Sequence, residues 1–113
     1  METKKLILTS PDAFTIFEKL KGRLKENSNE VEIVTFNRES VKVFIAVKEK
    51  YFLRTNSSAS LTYSIFCEDN LIQAVVCASG AGAGWLNLSY GATSKLMKDA
   101  VRLLVDEGFK EQT

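Results

Sequence analysis

Few residues in this chain have chemical reach. Cys67 and Cys77 stand ten positions apart, Gly80-Ala81-Gly82-Ala83-Gly84 alternates small residues, and Lys42, Lys48, Lys50 and Arg54 are interleaved with Phe44 and Phe52. There is no histidine. That removes the usual acid/base at neutral pH, the commonest metal ligand and the usual partner of a Ser or Cys nucleophile. Any enzyme built from this chain has to work with Lys, Glu, Asp, Tyr or Cys77.

Each group has a plain reading and a functional one. A dinucleotide fingerprint needs glycines between a strand and a helix. The run Gly80–Gly84 leads instead into Trp85-Leu86-Asn87-Leu88, which alternates like a strand, and no Gly-Lys-Ser/Thr follows. It reads as a flexible hairpin loop, with a backbone nest or a flap over a ligand as the functional alternative. Basic residues among aromatics suit single-stranded nucleic acid, but a net charge of +1 gives no pull toward phosphates, and strand lysines also guard sheet edges. No nucleic-acid partner is expected.

The elements that position these residues come from periodicity. Lys4–Thr9 reads as a first strand. Ser10-Pro11-Asp12 announces a helix, with Ser as N-cap and Pro at the first helical position; Ala13, Phe14, Phe17, Leu20 and Leu24 form its apolar stripe. From Ser40 to Tyr90 the chain reads as an antiparallel meander, preceded by a strand at Glu30–Phe36. In the long strand Ser40–Arg54, Val41, Val43, Ile45 and Val47 share one face and Phe44 and Phe52 the other, with Glu49 marking a bulge or a register change. Asp69-Asn70 has the chemistry of a two-residue hairpin loop. It pairs Cys67 with Ile72, Ile65 with Ala74, Tyr63 with Val76 and Leu61 with Ala78, one apolar face throughout. Trp85–Tyr90 reads as the last strand. Leu96, Met97, Ala100, Val101 and Leu104 form the stripe of a second helix, with Gly108 as its C′ residue.

The expected fold is therefore α+β: a two-layer domain, an antiparallel meander with two helices on one face, in the order β-α-β-β-β-β-β-α. Its 113 residues suit one domain, 1–113. The expected core is Phe17, Leu20, Leu61, Ile65, Val76, Leu88, Met97 and Val101. Cys67 and Cys77 fall on opposite faces, so no disulfide is expected. With no third cysteine and no histidine, zinc is not expected either, and no cofactor is implied.

The face away from the helices is the candidate site. It carries Ser60, Thr62, Ser64, Gln73 and Ser89, with Phe44, Phe52 and Phe66. The residues singled out for ligand binding or for an interface are Phe66, Val75, Cys77, Trp85 and Asn87, with Gly80, Gly82 and Gly84 of the glycine run. Such a face is either an ordinary solvated sheet surface or a surface that pairs with a second copy or holds a small molecule. The leading reading is a small non-enzymatic binding or self-association domain, with a homodimer through the open sheet face. The alternative is a small enzyme without histidine, with its site in a helix–sheet cavity.

At 45% hydrophobic and 26% charged, the composition is that of a soluble globular protein. The opening residues have only Leu6-Ile7-Leu8 as an apolar core before Pro11, which is no signal peptide. No apolar run reaches membrane length, so no membrane association is expected. A cytoplasmic location follows as the expectation.

The stretches Ser40-Val41-Lys42-Val43-Phe44, Ser60-Leu61-Thr62-Tyr63 and Ile72-Gln73-Ala74-Val75-Val76, the last leading to Ser79-Gly80, and the glycine run before a terminal helix carry a resemblance. Over nearly the whole chain the sequence resembles a family of small bacterial proteins, chiefly firmicute, classed as a domain of unknown function. The element order is similar to that of the TATA-binding-protein-like and helix-grip folds. The resemblance implies the fold and no activity.

Overall fold

Ser10 decides where the first helix begins. Its hydroxyl accepts a hydrogen bond from the Asp12 N–H at 3.1 Å, and Pro11 sits where a missing N–H costs nothing. The Ser10 N–H donates to the Asn70 carbonyl at 2.8 Å, which ties the helix entry to a hairpin tip far along the chain.

The computed structural model describes residues 2–26, 31–52, 57–82 and 86–112, without the side chains of 51, 52, 57, 81, 82 and 86–93. Its elements are β1 (Glu2–Thr9), α1 (Ala13–Glu26), β2 (Val31–Arg38), β3 (Val41–Phe52), β4 (Ser57–Glu68), β5 (Leu71–Gly82), α2 (Leu86–Asp106) and β6 (Lys110–Gln112). All the pairings are antiparallel, and the sheet order is β2-β3-β4-β5-β1-β6. α1 packs over β2, β4 and β5, and α2 over β4, β5 and β1. The fold class read from the sequence, α+β with an antiparallel sheet and two helices, is the one observed.

Two tight hairpins set the register. Glu39 (φ 51°) and Asp69 (φ 54°) open the two-residue loops of β2–β3 and β4–β5 in the left-handed conformation that suits the twist of the flanking strands. The β4–β5 pairs are those expected: Cys67 with Ile72, Ile65 with Ala74, Tyr63 with Val76, Leu61 with Ala78. Six of the expected core residues, Phe17, Leu20, Leu61, Ile65, Val76 and Met97, are buried. Val101 is half-buried and packs against the core, and the Leu88 side chain lies outside the described residues.

Four expectations need correction. Residues 86–90 are the first turns of α2, not a final strand, so Asn87 lies on a helix. The edge of β5 that a fifth meander strand would need is held by β1, with Leu6 opposite Ala74. The last two elements are therefore α2 and then β6, which pairs on the outer side of β1. Gly80 and Gly82 belong to β5, opposite Ala59 and Ser57, rather than to a loop; Gly84 and Trp85 lie outside the described residues. Glu49 marks no bulge: the β3–β4 register runs unbroken from Val41↔Glu68 to Phe52↔Ser57.

The fourth correction is the facing of β3. Phe44 pairs with Ile65 and Ala46 with Tyr63, so both point toward the helices and are buried. Phe44 meets Phe17 of α1 edge to face, ring centroids 5.0 Å apart at 61°, a favoured aromatic geometry. Val43 and Ile45 face the opposite side. The sequence pattern groups Phe52 with Phe44; the Phe52 side chain lies outside the described residues.

α2 ends in a paired set of backbone bonds. The Phe109 N–H donates to the Leu104 carbonyl at 3.1 Å and the Gly108 N–H to the Val105 carbonyl at 3.0 Å. This is a Schellman motif with Gly108 at C′, and Phe109 turns back into the core beside Leu104. Beside it, Glu107, with only 8% of its side chain exposed, accepts from Arg23 Nη1 at 2.8 Å and faces Lys19 Nζ at 3.5 Å. Those contacts fasten the end of α2 to the middle of α1.

Two stability measurements follow, both by chemical denaturation. Phe44→Ala should cost about 3–5 kcal/mol, because the ring is fully enclosed, while Val43→Ala should cost under about 1 kcal/mol. Equal losses would mean that β3 faces the other way. Gly108→Ala should cost about 1–2 kcal/mol, since Gly108 has φ +107° and an added Cβ would come within 3.1 Å of Leu8.

Candidate functional site

The open face of the sheet is built in rows, because antiparallel partners point the same way. One row crosses Phe36, Val43, Phe66, Gln73 and Ile7, and the next Val34, Ile45, Ser64, Val75 and Lys5. A third crosses Glu32, Val47, Thr62, Cys77 and Thr3. Phe36 is 60% exposed and Val34 52%, the highest values among the exposed large apolar side chains. Toward β4 and β5 the face becomes small and hydroxylic: Ser60 and Ser79 share a hydrogen bond of 2.9 Å, and Thr3 Oγ1 lies 3.6 Å from Cys77 Sγ. A shallow hollow of about 450 Å³ lies on this face, lined by Lys5, Val43, Ser64, Phe66, Val75 and Gln112 among others.

Of the residues singled out from the sequence, Phe66, Val75 and Cys77 share this face, each half-buried. Gly80 stands near it at the end of β5, beside a second hollow of about 240 Å³ lined by Glu49, Ser58, Ser60 and Ser79. Asn87 is the second residue of α2 and not part of the sheet ladder; its side chain lies outside the described residues. The residues that sequence reasoning missed are Val34, Phe36, Val43, Ile45 and Val47. They make the face far more apolar than a Ser/Thr surface with scattered aromatics. The signal for them was parity: the hairpins fix which numbers share a side, and β3 is apolar on both.

The opposite side of the sheet holds a cavity of about 180 Å³ between the helices and the strands. Leu24, Leu61, Leu96, Ala100 and Leu103 give it apolar walls, and Lys48, Tyr63 and Asp99 supply polar atoms. Burial, aided by the Asp99 carboxylate, pushes the Tyr63 hydroxyl up to about 12. A phenol so placed stays protonated in the physiological range; it can donate a hydrogen bond but cannot act as a base. Burial also raises the Cys67 thiol, and Lys42 pulls it partly back; a protonated, enclosed thiol is a poor nucleophile. Both cysteines are free. Among the described residues no three His, Cys, Asp or Glu side chains are grouped as a metal ion needs, and no helix is long and apolar enough to cross a membrane.

Residues 8–106 match the model of a family of unknown function, DUF6054. The chain belongs to that family. No curated protein and no solved structure matches it. The matched DUF6054 segment includes α1, the strands β2 to β5 and α2, and so covers most of the open face and the helix–sheet cavity.

Tyr63 gives a pH test of that cavity. Its folded pKa lies above the unfolded value near 10, so its contribution is complete below pH 10 and is lost as pH rises through 12. Over that window the wild type should lose about 2–3 kcal/mol more stability than Tyr63→Phe. Denaturant midpoints for the two chains between pH 9 and 12 measure the difference, and parallel curves would refute the burial of this hydroxyl.

Proposed function

We propose that this DUF6054 protein is a non-enzymatic self-association domain that works through the open face of its sheet. The observation that carries the reading is the pair of apolar rows from Phe36 and Val34 across β3 to Phe66 and Val75. Each large apolar side chain left in water forfeits about 1.5–3 kcal/mol that burial would supply. Sheets pack face to face about 10 Å apart, and Ser60, Thr62 and Ser64 are small enough to let a second sheet approach. The same surface on a second copy is equally apolar, and two-fold pairing is the commonest solution. A reducing, cytoplasmic setting suits a chain that keeps Cys67 and Cys77 free.

A small-ligand reading attaches to the 180 Å³ helix–sheet cavity, which is the size that admits a small aromatic or aliphatic molecule. Tyr63 and Lys48 would donate hydrogen bonds to such a ligand and Asp99 would accept one. An enzyme at this place would need a base other than the protonated Tyr63.

The face reading is tested by sedimentation velocity over a wide concentration range. Phe66→Glu should leave a folded chain whose association is weakened by a hundredfold or more, because an unpaired charge buried in an interface costs about 3–5 kcal/mol. Wild-type monomer at every concentration would sink the reading and leave the cavity as the stronger candidate.

A further inference from the structure

β2 forms one edge of the sheet. β3 pairs along its inner side, and no described strand lies along its outer side. Soluble proteins blunt exposed edges with proline, bulges, short strands or charges, lysine above all; β2 has no lysine. β2 is eight residues long, contains no proline, and pairs with β3 without a break from Val31 to Arg38. It also holds Phe36 and Val34, the most exposed large apolar residues among those described. Glu32 and Arg38 flank them on the same face, and neither makes an ion pair with a described residue.

An antiparallel strand presents its outer N–H and C=O groups at alternate residues. Self-pairing about a two-fold axis is therefore confined to registers centred on a residue, not between two. Centred on Thr35, every pair on the open face is complementary: Glu32 meets Arg38 of the second copy, and Val34 meets its Phe36. Centring on Val34 sets Glu32 against Phe36, and centring on Phe36 sets Arg38 against Val34. Opposite charges and apolar pairs facing each other stabilise a ladder, and mismatches do not.

We propose that β2 pairs antiparallel with β2 of a second copy in the register centred on Thr35, so that two sheets become one. The occupant is fixed by self-complementarity of charge and of apolar side chains along the edge. The two-fold axis stands perpendicular to the sheet, so both open faces point the same way. Ile45 and Val43, beside Val34 and Phe36 on β3, carry the apolar rows across the junction. This contact uses a strand edge, independently of the face contact proposed above.

The experiment is a charge swap made in the Phe66→Glu background, where the face contact is removed and residual association reports the edge. Glu32→Arg and Arg38→Glu each place like charges opposite one another at two symmetric positions, and each should weaken dimerisation by about tenfold. The double variant Glu32→Arg/Arg38→Glu should restore it. Thr35→Cys with Cys77→Ser, oxidised and run on a non-reducing gel, should give a covalent dimer, since the two Thr35 positions face each other across the axis. Circular dichroism confirms that each chain is folded; where a swapped chain fails to fold, the Thr35→Cys cross-link decides alone. A background chain that stays monomeric to millimolar concentration overturns the proposal. So does association indifferent to the single swaps, or a folded double variant that does not recover.

Discussion

The hairpin tip at Asp69 and Asn70 governs more of this molecule than any other contact. Its two-residue loop fixes Glu68 opposite Leu71, and with a side-chain period of two that choice decides the face of every residue in β4 and β5. A slip by one position would put Gln73 and Val75 under the helices and expose Ala74 and Val76. The same tip presents the Asn70 carbonyl that holds the Ser10 N–H. The register of the sheet and the starting point of α1 are thus set within a few residues of each other, which is how Phe17 comes to meet Phe44.

Much of this was legible in the chain. Ser10-Pro11 marked the first helix because capping chemistry is local. The β4–β5 pairs could be written down residue by residue because one short loop settles them. Gly108 could be named as C′ for the same reason. Residues 86–90 could not be read correctly from pattern, because Trp85-Leu86-Asn87-Leu88 alternates over too short a run to separate strand from helix. What excludes the strand is tertiary: β1, from the other end of the chain, takes the edge of β5. β3 was misread for a different reason. Val-Phe-Ile-Ala-Val is apolar on both sides, so hydrophobicity alone does not choose a face. Only the β3–β4 register, with an even number of residues between the two strands, sets Phe44 beside Ile65.

That reversal changes the character of the open face. A Ser/Thr surface with a few aromatics would be content in water. A surface with Val43, Ile45 and Val47 behind an exposed Val34 and Phe36 is not, and the gradient across it is informative. The apolar part lies at the β2 edge, and the hydroxylic part at β4 and β5 in the middle of the sheet. The side toward the helices shows how a satisfied face of this sheet is built: alanines at Ala46, Ala59, Ala74 and Ala78 admit helices closely, and polar groups such as Lys42 find partners on α1, here Glu18. The open face has the first half of that design, small residues in its middle, without a described element to complete it.

The place of β1 in the sheet sets an order of events during synthesis. β1 is made before the other strands, yet its neighbours are β5 and β6, the last two strands in chain order. Until β5 is made, Leu6 and Leu8 have no strand to lie against, while β2, β3 and β4 can already zip together through local turns. Until β5 is made the domain therefore carries a loose apolar arm, with the exposure to misassociation that late, non-local pairing brings. Seating that arm between β5 and β6 is the step that closes the sheet, and it sets the first strand in chain order between the last two.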